Sequence, residues 1–86
     1  MNKEKTTLYK VKKGSKYTVV SVPEITLLNS IGIRAGLHIR VQSHYFFGGP
    51  VLLRVEETYT VALGKQIANQ IFVEEMFDEL NKVNIV

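Results

Sequence analysis

The sequence predicts a mainly β fold: a small, partly closed barrel of about five short strands, with a short helical insert and an added C-terminal helix. Three observations predict it. Leu37, Ile39 and Val41 alternate with His38, Arg40 and Gln42, and Val51, Leu53 and Val55 repeat the period of two after Gly48-Gly49-Pro50, which marks two strands joined as a hairpin. Turn residues recur about every 8–12 positions through the body of the chain. Beyond the last strand, Met76, Phe77, Leu80 and Val83 fall at helical spacing with Asp78, Glu79 and Asn81 between them.

Taken in order, residues 1–7 are polar and are expected to form a flexible basic N-terminus. Leu8 to Val11 reads as a short strand or a docked loop, and Gly14 turns the chain into the β-rich run Lys16–Val22. Ser21-Val22-Pro23-Glu24 fits a capping box, with the Ser21 hydroxyl accepting from the Glu24 amide and the Glu24 carboxylate reaching back to the Ser21 amide. Pro23 is tolerated in a first helical turn, where its missing N–H would have no partner. A helix of about two turns follows, with Leu27, Leu28 and Ile31 on its apolar face and Gly32 as its left-handed terminator. After the hairpin, Tyr59, Val61 and Leu63 give another strand, Lys65–Gln70 a short helical turn, and Ile71 and Val73 close the sheet. The domains expected are the N-terminus at 1–7, the barrel at 8–74 and a C-terminal amphipathic helix at 75–86.

Eighty-six residues make one domain with one modest core, worth roughly 3–5 kcal/mol net, which leaves little room for a deep enzyme active site. The apolar fraction of 45% argues against disorder. The absence of cysteine removes disulfides, thiolate zinc sites and cysteine nucleophiles together, and fits a reducing interior. No apolar run approaches the roughly 18 residues of a membrane span, and the lysine-rich start leads into no apolar segment, so neither membrane insertion nor a secretory signal is expected. Lys3, Lys5, Lys10, Lys12, Lys13 and Lys16 face Glu4 in the first segment, while Glu74, Glu75, Asp78 and Glu79 face Lys82 in the last. A nucleic-acid binder spreads base along a face; here the surplus sits in one terminal segment.

Few residues offer chemistry. His38 and His44, read on one uninterrupted strand, share a face about 20 Å apart, too far to chelate one ion. A single histidine joined by Glu56 or Glu57 from a neighbouring strand offers weak N/O ligation that suits Fe²⁺ and equally other divalent ions. Tyr45, Phe46 and Phe47 lie together at the hairpin tip, and three adjacent aromatics cannot all face the core of a period-two strand. An exposed aromatic there would anchor a partner or, less expectedly, stack on nucleic acid, with Arg40 and Arg54 flanking it on outward phases. The glycines supply turns, and no phosphate-binding Gly-x-x-x-x-Gly-Lys-Ser/Thr run is present, so the chain is not itself a GTPase. No nucleophile-base-acid set can be assembled, and an enzyme is the class least expected.

Leu28-Asn29-Ser30-Ile31-Gly32-Ile33-Arg34-Ala35-Gly36, then Gly48-Gly49-Pro50, then Val61-Ala62-Leu63, then Ala68 with Ile71 and Val73, resemble in order and spacing the FeoA domain, the small cytoplasmic accessory protein of ferrous iron transport that also closes some iron-dependent repressors. The resemblance covers about residues 8–74. It implies an SH3-like barrel without catalysis, at the inner membrane face, docking on and regulating a FeoB-type permease through that permease's GTP-binding domain or membrane part. Three features depart from the family: Ala35-Gly36 stands where Pro-Gly is usual, the turn near Glu57 lacks a common glycine, and the C-terminal helix runs past the usual end. On this reading the partner contact is Leu28, Ile31, Arg34, Arg40, Tyr45, Phe46 and Phe47, and Met76, Phe77 and Leu80 either cap the barrel or form a homo-oligomer contact. The alternatives are a stand-alone domain that senses metal or binds peptide, which requires His38 or His44, and a small-barrel nucleic-acid binder, which is not expected from the charge distribution.

Overall fold

The computed structural model describes residues 5–45 and 47–76. In chain order the elements are β1 (Lys5–Thr7), a 3₁₀ turn (Leu8–Lys10), β2 (Lys16–Ser21), α1 (Thr26–Ser30), β3 (His38–His44), β4 (Val51–Val55), β5 (Tyr59–Leu63), α2 (Lys65–Ala68) and β6 (Phe72–Glu75). The six strands form one antiparallel sheet in the order β1-β6-β2-β3-β4-β5. The mainly β fold and its helical insert are as expected. Among the described residues no pairing joins β5 to β1, so the sheet stays open where partial barrel closure was expected.

One sheet face is buried because the inward phases carry branched and aromatic residues: Tyr17 and Val19 from β2, Ile39 and Val41 from β3, Leu53 and Val55 from β4, all at 5% exposure or less. Residues outside the strands complete this cluster, with Leu8, Leu28, Ile33 and Ile71 nearly inaccessible. Each such side chain contributes about 1.5–3 kcal/mol on burial. The inward set of β3, β4 and β6 is thus the one that alternation predicts.

Three local expectations change. Lys5–Thr7, expected in a flexible N-terminus, pair with β6, Lys5 opposite Glu74 and Thr7 opposite Phe72. The capping box does not form. Ser21 is committed to β2 opposite Phe72, Pro23 favours an extended residue before it, and Ile25 donates to the Pro23 carbonyl at 2.9 Å. The helix therefore starts later, at Thr26, with Ile25 as its extended N-cap and no side-chain cap bond. Finally, Glu75 ends β6 where a helix was expected to begin, and the Met76 amide donates to the Lys16 carbonyl at 2.9 Å. The remainder of the predicted C-terminal helix, with Phe77 and Leu80, lies outside the described residues.

The end of α1 follows the expectation closely. Gly32 has a φ of 80°. Its amide donates to the Asn29 carbonyl at 3.1 Å, and the Ile33 amide reaches the Leu28 carbonyl at 2.9 Å. These two bonds make a Schellman closure, and the apolar contact that accompanies it is supplied by Leu28 and Ile33, both 1% exposed. A Cβ on Gly32 would also stand 3.0 Å from the Tyr59 hydroxyl, so backbone and neighbour both require glycine.

Candidate functional site

The tip between β3 and β4 is built on short-range fits. The Tyr45 amide donates to the Pro50 carbonyl at 3.0 Å, carrying the ladder one step past the strands. Gly49 lies so close beneath Tyr45 that a Cβ there would stand 2.6 Å from the Tyr45 Cβ and 2.8 Å from its carbonyl oxygen. Gly48, with a φ of 89°, donates its amide to the Tyr9 hydroxyl at 3.0 Å. Tyr9 in turn meets the His44 ring edge-on at 4.6 Å between centroids, and Lys65 Nζ lies 5.8 Å from the centre of the Tyr9 ring. The tip is thus braced from below by side chains of the 3₁₀ turn, β3 and α2.

On this support Tyr45 is 53% exposed and Phe47 is fully exposed. Phe47 also has a φ of 65°, a left-handed conformation that a bulky residue rarely adopts. Both side chains are therefore open to solvent, as an exposed partner anchor would need. Phe46 lies outside the described residues.

The helix-to-strand part of the sequence-predicted contact is elsewhere. It lies at the other end of β3, whose seven residues span about 20 Å, so the two parts do not form one continuous site. Leu28 is 1% exposed and belongs to the core, because the Schellman closure folds Ile33 over it. Leu27 is the outward residue at 51% exposure. A helix of one turn has too little periodicity to distinguish the two. Ile31 is half-buried and Arg34 exposed, as a partner contact would need. Tyr59, 39% exposed, adjoins them by donating its hydroxyl to the Ile31 carbonyl at 2.9 Å; on sequence it counted as an inward strand residue, with nothing to mark it as surface.

The histidines do not share a face. A bulge between Val41 and Ser43 shifts the β3 register, so that His44 comes opposite the buried Val51 while His38 stays on the solvent side. The extra residue reverses the phase of the strand end, and both His44 ring nitrogens are shielded from solvent. His38 instead meets Glu56, whose carboxylate accepts from the His38 amide at 2.9 Å. The metal candidates are therefore divided, His38 with Glu56 at one end of the strand and His44 at the other. Among the described residues no group of three or more His, Asp or Glu side chains could hold a metal ion. The cleft beside His38, lined by Lys16, Ile39, Glu56, Glu57 and Met76, has about 140 Å³. That is well below the roughly 300 Å³ from which small-molecule pockets begin.

Between the two ends, the outer face carries a polar network. Arg40 opposes Arg54, as the strand phases predict. Arg40 forms a two-pronged ion pair with Glu57, its Nε donating at 3.1 Å and its Nη2 to the other carboxylate oxygen. This hydrogen bond, with the nearby charges of Arg40, Lys16 and Arg54, holds the Glu57 carboxyl below its ordinary value. No helix among the described residues is long and apolar enough to cross a membrane.

Comparison with known proteins adds a family. The FeoA domain model matches residues 6–75. The fold resembles the crystal structure of an iron uptake regulatory protein (FeoA) at 26% identity and a TM-score of 0.76, over 85% of this chain and 99% of the other. It resembles the solution structure of an FeoA-like protein from Clostridium acetobutylicum at 29% identity and 0.73, over 91% and 93%. A manganese-dependent transcriptional repressor shares the fold at 23% identity and 0.78, over 88% of this chain. The chain spans 44% of that repressor's length. No curated protein matches in sequence.

Proposed function

The chain belongs to the FeoA domain family, and from that membership we propose that it is a cytoplasmic adaptor of ferrous iron transport, docking on the GTP-binding domain of a FeoB-type permease at the inner membrane face. The observation that carries this reading is the match along residues 6–75. The likeness to FeoA structures, at 26% and 29% identity over 99% and 93% of their chains, supports this reading. Its role is binding. Tyr45 and Phe47 on the braced tip are the proposed anchors, since exposed aromatics on a rigid support lose little entropy when a partner covers them. Ile31, Arg34 and Tyr59 form a second contact at the far end of β3.

Isothermal titration of the chain with the GTP-binding domain of the permease from the same cell, with and without nucleotide, tests this. Saturable binding that weakens at least about tenfold in Phe47→Ala is the expected result. No binding at high concentration would refute docking on that domain. Binding untouched by Phe47→Ala and Tyr45→Ala together would keep the adaptor and remove the tip.

A further inference from the structure

The strand register sets three cations in one row. Lys16 of β2 lies opposite Arg40 of β3, Arg40 opposite Arg54 of β4, and Arg54 opposite Thr60 of β5. Arg40 and Arg54 each lie between two buried neighbours and Lys16 precedes the buried Tyr17, so the three cations share the solvent face, and the pairing with Arg54 puts Thr60 on it as well. Like charges directly opposite one another oppose sheet formation, so this row persists against a cost. Local counter-charge does not remove it. Among the described residues one ion pair forms, between Arg40 and Glu57. Arg54 reaches neutral acceptors at long range, Thr60 Oγ1 at 3.3 Å and the Glu57 carbonyl at 3.4 Å. Lys16 is exposed, and Lys12 and Lys13, exposed in the turn that leads into β2, add to the surplus.

We propose that the Lys16–Arg40–Arg54 row is a docking site for the carboxylates of an acidic polypeptide segment on a partner protein. The Arg40–Glu57 pair shows the chemistry in place: a guanidinium fork on this face already holds one carboxylate by both oxygens. The same fork on Arg54 has no carboxylate. The row is also narrow, three strands at a spacing of about 4.8 Å. It is bounded by acid, with Glu56 and Glu57 in the β4–β5 turn and Glu74 opposite Thr18 in the adjoining row. A compact acidic segment fits between these carboxylates, whereas an extended polyanion, a nucleic acid backbone or an anionic bilayer, would be laid across them. Thr60, which donates to Gln42 Oε1 at 3.0 Å, ends the row with uncharged hydrogen-bonding groups.

The inference stands on the register and needs no permease, so its failure and that of the adaptor reading are separable. The test is titration of the isotope-labelled full chain with a blocked hexaglutamate peptide, followed by nuclear magnetic resonance at low and physiological salt. The expected result is saturable shifts concentrated at Lys16, Arg40 and Arg54, weaker at higher salt, with at least about a tenfold loss of affinity in the pair Lys16→Gln and Arg54→Gln. Both substitutions relieve repulsion on an exposed face, and an otherwise unchanged spectrum confirms that the variant folds. Absence of shifts would overturn the proposal, as would shifts scattered over all surface lysines or shifts retained in the variant. Tighter binding at this row to oligothymidylate, or to phosphatidylcholine vesicles carrying phosphatidylglycerol, would overturn the choice of ligand.

Discussion

Phe47 combines two costs in one residue: a large apolar ring left wholly in water and a φ of 65°. For an L residue the left-handed conformation costs about 1–2 kcal/mol, and strain of this kind gathers where a surface is used. Glycine would relieve the strain while giving the unfolded chain more freedom, a loss of about 0.4–1 kcal/mol. Phe47→Gly is therefore expected to hold stability or raise it by up to about 1 kcal/mol, while affinity for the proposed partner domain falls. Denaturant midpoints beside the titration separate the two effects, and a fall in both would make the ring a structural support of the tip. Leu28 shows the converse. On sequence it stood on the apolar face of α1 and as a partner contact, yet at 1% exposure it belongs to the core at the closure of α1, and no property of the residue itself distinguishes it from Leu27.

The β4–β5 hairpin turns where a glycine would be easiest. The Thr58 amide donates to the Val55 carbonyl at 2.9 Å, and both residues between them, Glu56 and Glu57, have positive φ, 51° and 58°. Such a turn favours Asn-Gly. Here side chains hold it: Glu56 accepts from the His38 amide, and Glu57 pairs with Arg40. The Glu57 carboxyl titrates below its ordinary 4.5 because Arg40 bonds the ionised form. Its contribution to stability is complete above about pH 4.5 and is lost as pH falls through the lowered folded value. The stability gap between the wild type and Glu57→Gln is thus expected to be constant above that point, to close below it, and to shrink with salt because the pair is exposed. A gap that persists in acid would assign the turn to its backbone. Elements that bury one face were legible in the sequence: β3 and β4 announce themselves by alternation. What stayed hidden was set by backbone alone. The bulge after Val41, which turns His44 inward, leaves no mark in hydropathy, and Ser21 could not cap a helix while serving β2.

At the scale of the molecule, the two ends of the described chain hold each other. β1 pairs with β6, and the next residue, Leu8, fully buried, donates to the Ile71 carbonyl at 2.8 Å. β1 was illegible because Lys5, Thr6 and Thr7 offer no apolar face; it is an edge strand joined through its backbone, which is also how an edge avoids becoming sticky. If residues 1–7 were an idle tail, deleting them would change nothing. The pairing predicts otherwise. Loss of a three-residue ladder, with net bonds of about 1 kcal/mol each, should cost about 2 kcal/mol, and for a domain of this size lower Tm by roughly 8–15 °C. It should also uncover one edge of β6, whose β1-facing amides would lose hydrogen-exchange protection and whose free edge would make the truncated chain associate as its concentration rises. Calorimetry with exchange measured on Val73, whose amide faces β1, decides it: unchanged Tm and unchanged protection would return Lys5–Thr7 to the role of a tail.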